Sequence, residues 1–126
     1  MPENPTDIHI QVDTRYLPEQ SSPDENHYVF AYQILIENRG PLAAQLLNRH
    51  WIITDAEGRV QEVRGPGVVG EQPRLAPGER FQYSSGTVLP TPVGSMHGNY
   101  EWISEEGTNF LTPIPPFRLA VATIFH

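Results

Sequence analysis

The stretch RGPGVVGEQPRLAP, residues 64–77, decides between two unrelated folds. Gly65, Gly67 and Gly70 stand at the G-x-G-x-x-G spacing, which in nucleotide-binding α/β sheets joins a strand to a helix whose amides and dipole hold a pyrophosphate. The residues after the glycines do not permit that helix. Pro73 and Pro77 come within seven residues of Gly70, Pro77-Gly78 signals a turn, and Pro66 has no N–H to offer an anion. The stretch is therefore expected to connect extended segments.

A helix-free anion site is the alternative, because successive amides in a tight glycine turn form an anion-sized concavity. Its residues would be Gly65, Gly67, Val68, Val69 and Gly70, with Arg64, Arg74, Arg49 and His50 supplying positive charge and hydrogen bonds. Against it, Glu57, Glu62, Glu71 and Glu79 interleave with Arg59, Arg64, Arg74 and Arg80, so the segment from 57 to 80 carries no net charge. An isolated glycine motif is more often a turn than a ligand site.

Outward from the glycines the pattern is that of strands. Ile8 to Tyr16 alternates apolar and polar residues, and His27 to Asn38 alternates again, with Tyr28, Phe30, Tyr32, Ile34 and Ile36 on the expected core face. Ala43 to Thr54 and Arg59 to Val63 flank the turn Asp55-Ala56-Glu57-Gly58 as a hairpin. Arg80 to Tyr83 and Met96 to Ile103 read as further strands, LPTPVG at 89–94 as irregular, Glu105-Glu106-Gly107 as a hairpin turn, and Phe117 to Phe125 as the last strand. No window carries an apolar stripe at helical spacing. The reading is one all-β domain over residues 1–126, an antiparallel two-sheet sandwich of immunoglobulin-like or fibronectin type III-like type with about seven strands.

Composition narrows the chemistry. The 126 residues include no cysteine, which removes thiolate nucleophiles, disulfides and thiolate zinc sites and fits a reducing compartment, so cytoplasmic location is expected. All eight basic side chains are arginine, which removes Schiff-base and P-loop lysine chemistry. A formal charge of -7 repels nucleic acid and anionic lipid, and no apolar run approaches the roughly 20 residues that a membrane helix needs. Neither nucleic acid nor membrane is an expected partner.

Catalytic and metal constellations are not evident. Gly94-Ser95-Met96-His97-Gly98 lacks the spacing of a nucleophile elbow, since Gly94 directly precedes Ser95 and a strand comes next. Glu105 and Glu106 fall in the expected hairpin turn and read as solubilising surface acids. His9 and Asp13 share a strand face but sit about 13 Å apart, too far for one ion. No metal site and no cofactor are expected. Val29, Ala31 and Leu35 lie on the nominally outer face of the second strand, and the last strand is apolar on both sides of Arg118, so these residues are candidates for a face that another protein or an identical subunit covers.

A series of motifs carries a family resemblance. Arg49-His50-Trp51-x-Ile53-x-Asp55-x-x-Gly58 is succeeded by Val63-x-Gly65-x-Gly67-Val68-Val69-Gly70-x-x-Pro73-x-Leu75-x-Pro77-Gly78-Glu79-x-Phe81-x-Tyr83-x-Ser85-Gly86, then Gly94-x-Met96-x-Gly98-x-Tyr100 and Ile114-Pro115-x-Phe117-x-Leu119. This order resembles the bacterial ApaG family along nearly the whole chain. The resemblance implies a fibronectin type III-like sandwich, no assigned enzymatic activity, an association with cobalt resistance and magnesium efflux, and, from related domains in eukaryotic F-box and polymerase-interacting proteins, protein binding. The expected function is a non-enzymatic protein-interaction module linked to magnesium and cobalt homeostasis. The alternative is binding of phosphate, pyrophosphate or a nucleotide at the Gly65–Gly70 loop.

Overall fold

A computed structural model describes residues 6–121. The elements, in chain order, are β1 (Ile8–Tyr16), two three-residue 3-10 turns (Pro18–Gln20 and Pro23–Glu25), β2 (Tyr28–Asn38), β3 (Ala44–Asp55), β4 (Val60–Pro66), β5 (Arg74–Leu75), β6 (Arg80–Leu89), β7 (Val93–Ser104) and β8 (Asn109–Ala120). One antiparallel sheet has the order β1-β2-β6, the other and larger β4-β3-β7-β8, with the two-residue β5 pairing on β3. The expected two-sheet sandwich is present, with seven long strands and one short one. No helix among the described residues is long and apolar enough to cross a membrane.

Alternation places the core where the sequence put it. Phe30, Tyr32, Ile34 and Ile36 of β2 are buried, and they share one core with Leu46, Trp51 and Ile53 of β3 and Met96, Tyr100 and Trp102 of β7. Trp51 is the hub between the sheets. Its ring meets Tyr32, Tyr100 and Phe117 edge to face at centroid distances of 5.6, 6.2 and 5.8 Å, the geometry that aromatic quadrupoles favour. A buried hydrogen bond between the hydroxyls of Tyr83 on β6 and Tyr100 on β7 also crosses from sheet to sheet. Burial raises the pKa of both hydroxyls well above the ordinary tyrosine value, so the core holds them neutral.

The last strand corrects the sequence reading. It spans Asn109–Ala120 and contains Pro113, Pro115 and Pro116, whereas the sequence placed its start at Phe117; residues 122–125 of that expected strand lie outside the described residues. The prolines are tolerated because β8 is an edge, where a missing donor costs no ladder bond on the open side. A register shift of β8 against β7 between Met96 and Gly98, opposite Pro115 and Pro116, absorbs the two consecutive prolines. The irregular stretch is also shorter than expected. Only residues 90–92 leave the strands, held by Thr91, whose Oγ1 accepts from the Ala56 amide at 3.0 Å and donates to the Val93 carbonyl at 2.8 Å.

Candidate functional site

The glycine stretch is a hairpin extension of β4, with no helix behind it. Gly65 pairs with Arg49 and Pro66 with Asn48, after which the chain turns through Val68–Glu71. Val68 and Glu71 exchange two backbone hydrogen bonds of 2.8 and 2.9 Å, and the two residues between them, Val69 and Gly70, have φ of 42° and 81°, as a two-residue primed turn requires. Each glycine answers a different local need. A Cβ on Gly65 would lie 3.0 Å from the Arg49 guanidinium, one on Gly67 would lie 2.2 Å from the Glu71 carbonyl oxygen, and Gly70 supplies the positive φ with open space around it. The G-x-G-x-x-G spacing here is the sum of local constraints, close contact at Gly65 and Gly67 and positive φ at Gly67 and Gly70.

That geometry uses up much of what an anion would need. The Gly67 amide donates to the Leu47 carbonyl at 2.8 Å and the Val68 amide to Glu71. Val68 itself is fully buried in the core, while Val69 is 53% exposed. Arg49 Nη1 donates to the carbonyls of Pro66 and Gly67 at 3.0 and 3.1 Å, pinning the loop to β3. The arginines that bracket the glycines in sequence disperse in space. Arg59 pairs with Asp55 and Glu57 at the far end of the β3–β4 hairpin, Arg80 pairs with Glu37 on the other sheet, and Arg74 sits exposed on β5. Burial alone would raise the pKa of Asp55, but hydrogen bonds from the Arg59 amide and guanidinium and the Glu57 amide outweigh it and hold the carboxyl below its ordinary value.

Four of the sequence candidates do converge. Arg49, His50, Arg64 and Gly65 line a groove of about 490 Å³, together with Asn48, Pro66, Asn99, Glu101 and Leu111. Register builds most of it on the outer face of the larger sheet. Arg64 of β4 lies opposite His50 of β3, which lies opposite Asn99 of β7; one step along, Pro66, Asn48, Glu101 and Leu111 form the next row across β4, β3, β7 and β8. Asn48 Nδ2 donates to Glu101 Oε1 at 2.6 Å across the floor, His50 Nε2 faces Glu62 Oε1 at 3.1 Å, and Arg64 lies 4.0 Å from the same Glu62 oxygen. Leu111 is 65% exposed at the β8 margin. The groove therefore combines amide donors and acceptors, countered charges of both signs and one bare aliphatic side chain.

The remaining candidates lie elsewhere. Gly67, Val68, Val69, Gly70 and Arg74 do not line the groove. Val29, Ala31 and Leu35 occupy the outer face of β2, half-buried between neighbouring strands, with Arg15 and Gly86 flanking Ala31. Arg118 is exposed on β8 of the other sheet, opposite Ser95, so these four residues form no single patch. Ser95 and His97 stand two residues apart on one strand with Cα atoms roughly 7 Å apart. Among the described residues, no group of three His, Asp or Glu side chains is placed to hold a metal ion.

Comparison with known proteins bears on the whole chain. Residues 18–104 match the ApaG domain, a protein family described by that name. The chain belongs to the ApaG family. It is 70% identical over 122 residues to Protein ApaG of Acidithiobacillus ferrooxidans, covering 97% of this chain and 96% of that protein. It is 60% identical to Protein ApaG of Pseudomonas paraeruginosa, with 94% of each chain covered. The crystal structure of a putative ApaA protein from Bordetella pertussis superimposes with a TM-score of 0.91 at 56% identity, covering 94% of this chain and 97% of the other. The family was legible in the ordered motifs. Asn48, Asn99, Glu101 and Leu111 were not singled out, because the polar face of β7 is visible in sequence but its register against β3 is not.

Proposed function

We propose that this ApaG-family protein is a non-enzymatic protein-interaction module that receives an extended segment of another protein in the groove on its larger sheet and acts in the cytoplasm. One observation carries the reading. The groove of about 490 Å³ runs beside an aliphatic side chain, Leu111, that is 65% exposed, and its polar lining includes Asn99 together with Asn48 and Glu101, which are hydrogen-bonded to each other. A mixed groove of this kind, apolar at one margin and polar at its base, suits recognition of a peptide segment. Any link to magnesium or cobalt would run through the partner, since among the described residues no group of three His, Asp or Glu side chains is placed to hold an ion.

The test compares affinity captures from the native cell using the wild type, Leu111→Asp and Asn99→Arg, with Val69→Ser as a control outside the groove. Polypeptides held by the wild type and the control should fall at least tenfold in both groove variants. Equal recovery with all four baits refutes the reading. A second reading, phosphate or nucleotide binding, draws on the convergence of Arg49, His50 and Arg64 at the same groove. Titration with pyrophosphate, ATP and a dinucleoside tetraphosphate, monitored by amide NMR at Gly65 to Gly70, selects it if those signals move and removes it if they stay fixed.

A further inference from the structure

Among the described residues the sandwich has four long strands at open edges, β1 and β6 on one sheet and β4 and β8 on the other, besides the two-residue β5 on β3. An open edge offers unpaired backbone donors and acceptors, and natural proteins usually guard it with charge, proline or bulges. Three of the four are guarded. β8 carries Pro113, Pro115 and Pro116; β4 carries Glu62 and Arg64 and ends in Pro66; β1 carries His9, Asp13 and Arg15. β6 differs from all of them. From Phe81 to Leu89 it has no charge and no proline, in a molecule whose formal charge is -7.

A second observation points at the same edge. Gln82, Ser84, Gly86 and Val88, the outward side of β6, are exposed. Val88 is 44% exposed and Val60, at the start of β4, is 62% exposed, and the two line one cleft of about 260 Å³ on the flank of the sandwich. Two of the four large apolar side chains left exposed among the described residues thus sit together where β6 is open.

We propose that β6 pairs with β6 of a second copy of this chain, antiparallel about a two-fold axis at Ser85, joining two three-stranded sheets into one. The sequence of the edge is self-complementary in that register. Ser84 lies opposite Gly86 and Gln82 opposite Val88 of the other copy on the outer face, Tyr83 lies opposite Thr87 and Phe81 opposite Leu89 on the core-facing side, no charged pair meets, and each Arg80 falls opposite Pro90 at the end of the ladder. An edge without charge gives a foreign strand little to be selected by, whereas two-fold pairing uses every contact twice. The pairing covers Val88 and brings the cleft beside Val60 under the second copy. The groove lies on the other sheet, so the dimer displays two grooves and binds a repeated or clustered partner with added avidity.

Sedimentation equilibrium of the full chain tests this, with Ser84→Lys beside the proposed axis and Gln11→Lys on the opposite, β1 edge. The wild type and Gln11→Lys should show twice the 14.2 kDa chain mass at tens of micromolar protein, and Ser84→Lys the single-chain mass with cooperative thermal unfolding retained, its midpoint lower only by the stabilisation that dimerisation gives the wild type. Added salt should strengthen the dimer, because both copies carry the same net charge. Since the chain has no cysteine, a nitroxide on Ser84→Cys is a unique probe, and dimers should place two labelled Cα atoms roughly 8 Å apart, giving strong spin–spin broadening. A single-chain mass for the wild type throughout overturns the proposal, as does a dimer that Ser84→Lys leaves intact or one without broadening. None of these outcomes depends on whether the groove binds a partner.

Discussion

Two groups of glycines sit in this chain, and the more conspicuous is the less demanding. Gly65, Gly67 and Gly70 have the spacing of a nucleotide cradle, yet Gly70 has open space around it and serves only a turn conformation. Gly94 and Gly98 match no nucleotide motif, yet both lie where strand backbones close on each other. A Cβ on Gly98 would come 1.9 Å from the His50 carbonyl oxygen, and one on Gly94 would come 2.6 Å from both the Thr54 carbonyl oxygen and a Leu89 methyl group. Spacing along the chain is thus a poor guide to why a glycine is there; what stands over its missing side chain is a better one.

Substitution turns that contrast into an order of effects. Gly98→Ala forces β3 and β7 apart beneath Trp51 and should cost more than about 4 kcal/mol, seen as loss of the folded state in urea titration. Gly67→Ala combines a φ of 62° with a Cβ 2.2 Å from the Glu71 carbonyl oxygen and should cost about 3 kcal/mol by the same measurement. If Gly67→Ala proved more damaging than Gly98→Ala, the ranking of the two groups would reverse. Tyr100→Phe leaves the Tyr83 hydroxyl buried without its partner and should cost about 2 kcal/mol, much of which the double replacement of Tyr83 and Tyr100 by Phe should restore.

The same tyrosines give a pH dependence. Their folded-state pKa values are raised, by burial first, so the stability they confer is complete below the ordinary value of 10.0 and is lost as pH rises above it. Phenolate absorbance from these two rings should therefore appear only together with unfolding, and Tyr100→Phe should flatten the alkaline loss of stability. The smallest effects belong to the turn. Gly70→Ala should cost about 1 kcal/mol, while Val69→Asn, relieving a β-branched residue at φ of 42°, should stabilise by about 0.5 kcal/mol in thermal unfolding.

The sequence was informative wherever the deciding interaction is local. Tyr28 to Ile36 declared a core face through alternation alone, and Pro73 and Pro77 excluded a helix after Gly70 without reference to anything distant. It was misleading about β8, because Pro113, Pro115 and Pro116 look like strand breakers until the strand is known to be an edge. It was silent about the groove, because the rows that bring Arg64, His50 and Asn99 together depend on registers between strands up to dozens of residues apart. The arginines show the converse error. Arg59 and Arg80 are near the glycines along the chain, but a hairpin and a change of sheet carry them away.

Val68 gives the glycine turn a property that its exposed tip conceals. With that side chain at 0% exposure, the turn is fastened to the interior by an aliphatic anchor, and Arg49 ties its carbonyls from above. Solvent deuterons should reach the Gly67 and Val68 amides only when the interior itself opens, so this segment will exchange on the slow schedule of the sandwich centre and not on that of a mobile flap.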